Sequence, residues 1–114
     1  MFQYKNRAVF EAIRVATAAQ IGATYATIGT ITTSPGVLFK FINLTDGDVF
    51  FTDDPAVDKW IVPTNGYSVY DIRTNSPSVC DYMLSQGTQF SVKDGPTAPT
   101  TGSVYIEVMV VTRE

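Results

Sequence analysis

Apolar and polar residues alternate most regularly near the end of the chain, in SVYIEVMVVT at 103–112. A period of two is typical of a β-strand, because successive side chains of a strand point to opposite faces. One face is aliphatic and consists of Val104, Ile106, Val108 and Val110. The other face consists of Tyr105, Glu107, Met109 and Val111. This second face is too apolar to stand fully in water, so we expect another sheet, the N-terminal segment or a second subunit to cover part of it.

Two further alternating segments each lead to a dipeptide that is common in turns. In VLFKFIN at 37–43, Phe39 and Phe41 fall on one face, and the segment runs on into Asp46-Gly47. An Asp-Gly pair adopts the positive φ values of a tight hairpin turn, so VFFT at 49–52 is predicted to return antiparallel to 37–43. Asn65-Gly66 likewise predicts a second hairpin, between 59–62 and 67–72.

The rest of the chain adds short strands and loops. Residues 81–84 and 89–93 are predicted to be strands, and 94–102, with two prolines and two glycines, is predicted to be a loop. Short strands separated by frequent turns predict an all-β fold, either an antiparallel β-sandwich or a jelly-roll-like barrel. We assign the single domain to 12–114.

The first quarter of the chain is less regular. Phe10, Ile13 and Thr17 would share one face of a short helix, but the following residues are rich in glycine and in β-branched side chains. We therefore favour an extended N-terminal arm over 1–11, followed by one or two strands. Deleting Met1 to Glu11 is expected to leave the fold intact.

Composition excludes several functions. The 114 residues include no histidine and one cysteine, Cys80, so Ser-His-Asp and Cys-His catalysis, an internal disulfide and a Cys-cluster zinc site are not expected. The eight basic residues are scattered and the net charge is -3, which disfavours nucleic-acid binding. There is neither a membrane-span candidate nor a secretion signal, so we expect synthesis in the cytoplasm. We predict a protein that is not an enzyme.

Charge is unevenly distributed along the chain. The first 40 residues are basic and the remainder is acidic. This charge asymmetry either has no consequence or favours binding of the basic N-terminal arm to the acidic surface of a second copy of the protein.

Four aspartates, Asp46, Asp48, Asp53 and Asp54, lie within NLTDGDVFFTDDP at 43–55. Their spacing does not match an EF-hand loop, which requires further oxygen ligands and a central glycine. We interpret Asp46 and Asp48 as residues that stabilise a tight turn by accepting bonds from backbone N–H groups, interpret Asp53-Asp54-Pro55 as a second turn, and expect neither metal nor cofactor. A two-stranded metal site remains an alternative, whereas glycoside hydrolysis lacks a visible cleft. The acceptor sequence Asn43-Leu44-Thr45 is interpreted as accidental.

Three aromatic residues, Trp60, Tyr67 and Tyr70, lie close together in the sequence. They can be half-buried core residues, interface residues, or a stacking platform for sugars. The last possibility defines an alternative function, a carbohydrate-binding module in which Asp53, Asp54 or Asp58 accepts hydrogen bonds from hydroxyl groups.

Three segments carry a resemblance to a known family: FINLTDGDVFFTDD, VPTNGYSVYDIRTN and LSQGTQFSVKDGPTAPTTGSVYIEVMV. Together they resemble the small β-sandwich virion proteins of tailed bacteriophages, over about residues 37 to 112. The resemblance implies a structural subunit of the virion, synthesised in the host bacterial cytoplasm. The implied subunit is either a capsid decoration or cement protein, or a ring component at the neck or tail. The resemblance implies no catalytic residues.

The residues and the resemblance together predict a homo-oligomer that clamps neighbouring capsid subunits. The expected partners are further copies of itself and the major capsid protein or other virion proteins, with no nucleic acid, membrane or small-molecule substrate. The N-terminal arm would be needed for particle binding. The predicted contact residues are Lys5, Arg7, Phe10, Arg14, Trp60, Tyr67, Tyr70, Tyr105 and Met109.

Overall fold

The computed structural model describes residues 6–71 and 85–113, which are built almost wholly of β-strands. In chain order these are β1 (Asn6–Phe10), β2 (Arg14–Thr17), β3 (Ala26–Thr27), β4 (Gly36–Thr45), β5 (Val49–Thr52), β6 (Trp60–Val62), β7 (Tyr67–Asp71), β8 (Ser91–Asp94) and β9 (Gly102–Arg113). A short 3-10 helix, Ala18–Gln20, follows β2. The all-β prediction is confirmed, and one or two strands do follow the N-terminal segment.

The strands form two antiparallel sheets that pack face to face. Sheet A has the order β1-β9-β4-β7, with β2 also paired to β9, and sheet B has the order β3-β8-β5-β6. Since β1 and β2 lie end to end along β9, they act as one interrupted edge strand. When β1 and β2 are counted as one strand, the described residues form eight strands. In chain order the first of these pairs with the eighth (β9), the second (β3) with the seventh (β8), the third (β4) with the sixth (β7) and the fourth (β5) with the fifth (β6). A ribbon of this kind, folded over into two sheets, is a jelly roll.

Both predicted hairpins are wrong, because each turn joins the two sheets instead of two neighbouring strands. β4 and β7 belong to sheet A, whereas β5 and β6 belong to sheet B. Asp46 and Gly47 have no positive φ; a Cβ on Gly47 would lie 2.4 Å from the Thr97 carbonyl oxygen. Glycine is therefore required there for close approach of two loops. The hairpin that forms is β5–β6, joined by 53–59.

The core between the sheets is centred on aromatic rings. Phe39 and Phe41 of β4 share one face, as predicted, and that face points inward. Phe41 stacks on Phe51 of β5 with ring centroids 4.6 Å apart. The aliphatic face of β9 is fully buried against them, again as predicted. Removing these apolar side chains from water supplies most of the free energy that holds the sheets together.

The corner between β4 and β5 is held by a buried amide. Asn43 is fully buried, and its Nδ2 donates to the carbonyl oxygens of Gly47 at 2.8 Å and Val62 at 2.9 Å. Its Oδ1 accepts from the backbone N–H of Thr45 at 2.9 Å and from the Thr45 hydroxyl at 2.6 Å. The apparent glycosylation sequence thus has a structural role at the place where the chain crosses between sheets.

The N-terminal strand contains a bulge that changes which face its residues occupy. Phe10 pairs with Met109, and Arg14 pairs with Ile106, so three residues on one strand oppose two on β9. The extra residue reverses the alternation and turns Arg14 inward. The Arg14 side chain is only 4% exposed, and its guanidinium bonds Glu11 at 2.7 Å and the Thr30 carbonyl oxygen at 3.0 Å.

Glu11 completes this internal ion pair. Its second carboxylate oxygen accepts from the Thr33 backbone N–H at 2.9 Å and from the Thr33 hydroxyl at 2.6 Å. Desolvation works against the charged carboxylate, but the bonds from Thr33 and Arg14 outweigh it and lower the pKa of Glu11. Gly29, at φ 68°, leaves room for the arginine, since a Cβ there would lie 2.4 Å from Arg14 Cγ.

The predicted arm and domain boundary therefore need correction. Within 1–11, Asn6–Phe10 form an edge strand of sheet A, and Glu11 is bonded inside the fold. Deleting 1–11 would expose one side of β9 and leave Arg14 without its carboxylate, so we expect this deletion to destabilise the fold instead of leaving it intact. Residues 1–5 lie outside the described part of the chain.

The later segments agree with prediction where they are described. β8 overlaps the predicted strand 89–93, and the loop between β8 and β9 matches 94–102 within one residue. The predicted strand 81–84 and Cys80 lie outside the described residues.

Candidate interaction surface

The side of sheet A that faces away from sheet B forms a broad surface, which we call the outer face. The strand registers place on it alternate residues of β9, β4 and β7, together with residues of β1, β2 and the bulge. Its main members are Phe10, Ile13, Val15, Leu38, Lys40, Ile42, Leu44, Tyr67, Val69, Tyr105, Glu107 and Met109.

Most of the outer face is apolar and open to solvent. Tyr67 is 67% exposed and Phe10 59% exposed, and Ile13, Val15, Leu44 and Val69 are exposed as well. Four strands at about 4.8 Å and nine residues at about 3.3 Å give a surface of roughly 19 by 30 Å. Contiguous apolar patches of this size on a small protein mark contact sites for other macromolecules.

Two opposite charges lie side by side at the centre of the outer face. Lys40 of β4 pairs directly with Glu107 of β9 in the strand register. The Lys40 ammonium lies 5.0 Å from the centroid of the Tyr67 ring, within range of a cation–π interaction. Among the ion pairs of residues 6–71 and 85–113, none includes either Lys40 or Glu107. Lys40 and Glu107 are therefore the two charges that a partner on this face would meet.

A cleft opens at the bulge, on the edge of the same face. It has a volume of about 240 Å³ and is lined by Phe10, Glu11, Ile13 and Glu107. The cleft can receive a side chain that projects from an opposing surface.

Four of the predicted contact residues, Phe10, Tyr67, Tyr105 and Met109, lie on the outer face. Arg14 does not, because the bulge buries it, and its assignment as a surface contact is wrong. Arg7 lies in β1, and Lys5 lies outside the described residues.

Trp60 of sheet B and Tyr70 of sheet A lie between the two sheets, where they close one edge of the sandwich. The Trp60 ring packs 5.5 Å from Phe39 and 5.1 Å from Phe41, and Tyr70 stacks on Phe39 at 5.4 Å. Tyr67, three positions before Tyr70 on the same strand, points to the opposite face. The three rings therefore do not form a common stacking platform, which removes the geometric basis of the carbohydrate-binding alternative.

The aspartates of 43–55 are directed to different loops. Asp46 accepts from the backbone N–H groups of Thr100 at 2.6 Å and Thr101 at 3.0 Å, and also from the Thr100 hydroxyl. Asp48 accepts from the Thr64 backbone N–H at 3.3 Å.

Asp53 and Asp54 act on the β5–β6 connection. Asp53 pairs with Lys59 at 2.6 Å, and Asp54 accepts from the Ala56 backbone N–H at 3.1 Å. Within the described residues, no group of three or more acidic or cysteine side chains is placed to hold a metal ion. Asp46 and Asp48 accept bonds from backbone N–H groups as predicted, but the donors lie in other loops, so their interpretation as stabilisers of their own turn is wrong. Asp54 does lie in a turn, as predicted.

Asp46 gives stability a testable pH dependence. The bonds from the Thr100 hydroxyl, the Thr100 N–H and the Thr101 N–H hold the pKa of Asp46 well below its ordinary value. Its stabilising effect is therefore complete above the unfolded pKa of about 3.9 and is lost as pH falls toward the folded pKa. We expect urea unfolding between about pH 5 and pH 2 to show a smaller loss of stability in Asp46→Asn than in the wild type. Equal losses in the two proteins would contradict this role.

A second polar cluster lies on sheet B, at the opposite side of the molecule. The Tyr25 hydroxyl donates to Asp58 at 2.7 Å, and Lys93 pairs with the same carboxylate oxygen at 2.9 Å. Desolvation and the Asp58 carboxylate raise the pKa of Tyr25, so the phenol stays protonated. Bonds from Lys93 and Tyr25 lower the pKa of Asp58. The cluster ties the loop before β3 to the β5–β6 connection.

Sequence reasoning missed Ile13, Val15, Leu44 and Val69 as surface residues. Alternation along 38–44 and 67–71 could have identified Leu44 and Val69. Ile13 and Val15 could not be assigned, because their direction depends on the bulge.

No helix in the described part of the chain is long and apolar enough to cross a bilayer. Comparisons with protein-family models, with curated proteins and with solved structures found no match. The function must therefore be argued from the surface itself.

Proposed function

We propose that this chain is a structural protein of a tailed bacteriophage virion without enzymatic activity, a capsid decoration or cement protein that stabilises the head. The observation that carries the proposal is the outer face of sheet A, an apolar surface across the full width of the sheet. Specific protein contacts need roughly 800 Å² from each partner. That area is about an eighth of the 6587 Å² accessible surface of the molecule, so one face of the sandwich can supply it.

The fold and the sequence resemblance support the same proposal. Jelly rolls occur in viral capsid proteins and in lectins, and fold alone does not decide between such functions. The resemblance to phage virion proteins over about 37 to 112 favours the virion. Against the lectin-like alternative, Trp60 is packed on the core phenylalanines and Tyr67 lies on the other side of the sheet.

In this proposal the two kinds of contact are made by different parts of the molecule. The outer face joins copies of the protein, and the N-terminal residues and loops reach the capsid subunits. Joining copies raises particle affinity through multivalency, since several weak capsid contacts then act together.

The direct test uses phage particles made with and without the gene for this chain. Particles that lack the protein should release their DNA at a lower temperature, and adding the purified protein back should restore both occupancy and heat stability. Heat stability that is the same with and without the gene, together with no binding of the added protein, would refute the proposal.

Substitution on the outer face should separate assembly from folding. Val69 on edge strand β7 and Ile61 on edge strand β6 are both β-branched and both 48% exposed, but they lie on the outer surfaces of opposite sheets. We expect Val69→Asp to lower particle occupancy at least about tenfold, because it places a carboxylate in an apolar contact. Ile61→Asp is the matched control and should bind as the wild type does.

Occupancy is measured by quantitative gel analysis of purified particles, and folding by thermal melting of each variant. If Val69→Asp bound as well as Ile61→Asp at equal thermal stability, the outer face would not be the contact surface.

A further inference from the structure

We propose that the outer face of sheet A binds the outer face of a second copy of this chain, in a two-fold symmetric dimer. The two-fold axis runs parallel to the strands, midway between β4 and β9. The inference deepens the proposed function, on which it rests for taking this face as a subunit contact.

The strand register shows why this axis suits the surface. A two-fold axis between β4 and β9 places each residue of β4 opposite a residue of β9 in the other copy. This is the same β9 position with which that β4 residue pairs inside its own chain. Leu38 then meets Met109, and Ile42 meets Tyr105. These pairs place apolar side chains against apolar side chains on both sides of the central charges.

The central charges are complementary under the same operation. Lys40 of one copy meets Glu107 of the other, and the symmetry repeats this pair on the other side of the axis. Neither residue takes part in an ion pair among the described residues of its own chain. A displacement of one copy by one strand would bring either Lys40 over Lys40 or Glu107 over Glu107 and would put the other charge against an apolar residue, so the pairs also fix the register of the two sheets.

The edges of the face support a partner of the same shape. The axis places β7 over the β1–β2 edge strand of the other copy, so Val69 approaches Ile13 and Tyr67 approaches Val15. Sheets packed in this way cross at about 30°, so the match is closest at the centre. The same operation places Asp71, at the end of β7, opposite Phe10 of the other copy, at the rim of the contact. The surface of roughly 19 by 30 Å, with its protruding side chains, approaches the roughly 800 Å² per partner of a stable dimer.

Charge reversal provides the test, since it distinguishes pairing between copies from effects within one copy. In Lys40→Glu every central contact of the dimer joins two glutamates, and in Glu107→Lys it joins two lysines. Each variant alone should dissociate at a concentration at least about tenfold higher than the wild type. An equimolar mixture of the two variants restores both opposite-charge contacts in a heterodimer, so it should recover near wild-type association.

Sedimentation velocity at micromolar concentration measures the association, and circular dichroism with thermal melting checks that each variant folds. Lys59→Glu is the control, because Lys59 lies in the β5–β6 connection away from this face. It should dimerise as the wild type does. The inference is overturned if the wild type is monomeric at high micromolar concentration, if the folded single variants dimerise as tightly as the wild type, or if mixing them restores nothing.

The two proposals can fail separately. A dimer that behaves as described, with no effect on phage particles, would refute the virion function and leave the dimer standing. A protein that is monomeric in solution but still decorates particles would refute the dimer and leave the virion function standing.

Discussion

Replacing Asn43 with alanine is expected to lower the free energy of unfolding by about 3–5 kcal/mol, because several buried polar groups each lose a hydrogen-bond partner at once. The amide receives two bonds from Thr45 and donates one each to the carbonyl oxygens of Gly47 and Val62. Small domains have a total stability of about 5–15 kcal/mol, so the loss would be a large fraction of the whole. Urea unfolding at neutral pH measures it.

The neighbouring residue offers a control for Asn43. Leu44 follows it on the same strand but points outward and is 53% exposed. Leu44→Ala should cost less than about 1 kcal/mol in the monomer. A cost for Asn43→Ala as small as that for Leu44→Ala would show that the corner does not depend on the amide.

The second large effect is expected from Glu11→Ala, which should destabilise the fold by about 3 kcal/mol because it leaves the Arg14 charge buried without a carboxylate. Arg14 is 4% exposed, and Glu11 also accepts both bonds from Thr33. Denaturant unfolding again gives the measurement.

A double variant identifies the cause of that loss. In Glu11→Ala/Arg14→Met the uncompensated charge is gone and an apolar chain of similar length fills the site, so part of the stability should return. The Thr33 bonds remain unmade, and recovery should therefore be incomplete. A double variant no more stable than Glu11→Ala alone would locate the effect at Thr33 instead of Arg14.

Local patterns predicted the strands well because they depend on residues that are neighbours in sequence. Alternation identified β9 and placed Phe39 and Phe41 on a common face, since a half-buried strand requires a period of two. The outward positions of Tyr105 and Met109 followed from the same pattern. These positions make up part of the outer face.

The connections were predicted wrongly because a turn dipeptide does not reveal which strands it joins. Asp46-Gly47 and Asn65-Gly66 both occur where the chain passes from one sheet to the other. At the first, glycine is needed for contact with the Thr97 carbonyl, which lies in a loop about 50 residues away in the chain. Such a requirement is set by tertiary packing and leaves no local signal.

The direction of Arg14 shows the same limit at the candidate surface. Nothing in the sequence marks the extra residue opposite Glu107, yet that single residue exchanges the inner and outer faces of β2. Arg14, a basic residue near the N-terminus, was therefore predicted to be a surface contact, whereas its guanidinium forms an internal ion pair with Glu11.

The position of β9 in the middle of sheet A has a consequence for biosynthesis. Its partners β1, β2 and β4 leave the ribosome first, and Asn6 must wait for Arg113, its pairing residue, before this edge can close. Sheet A therefore cannot be completed until β9 has been synthesised, and β1 and β2, which pair with β9, stay unpaired until then. Ordering so many distant segments together makes folding slow and leaves the nascent chain dependent on protection from aggregation.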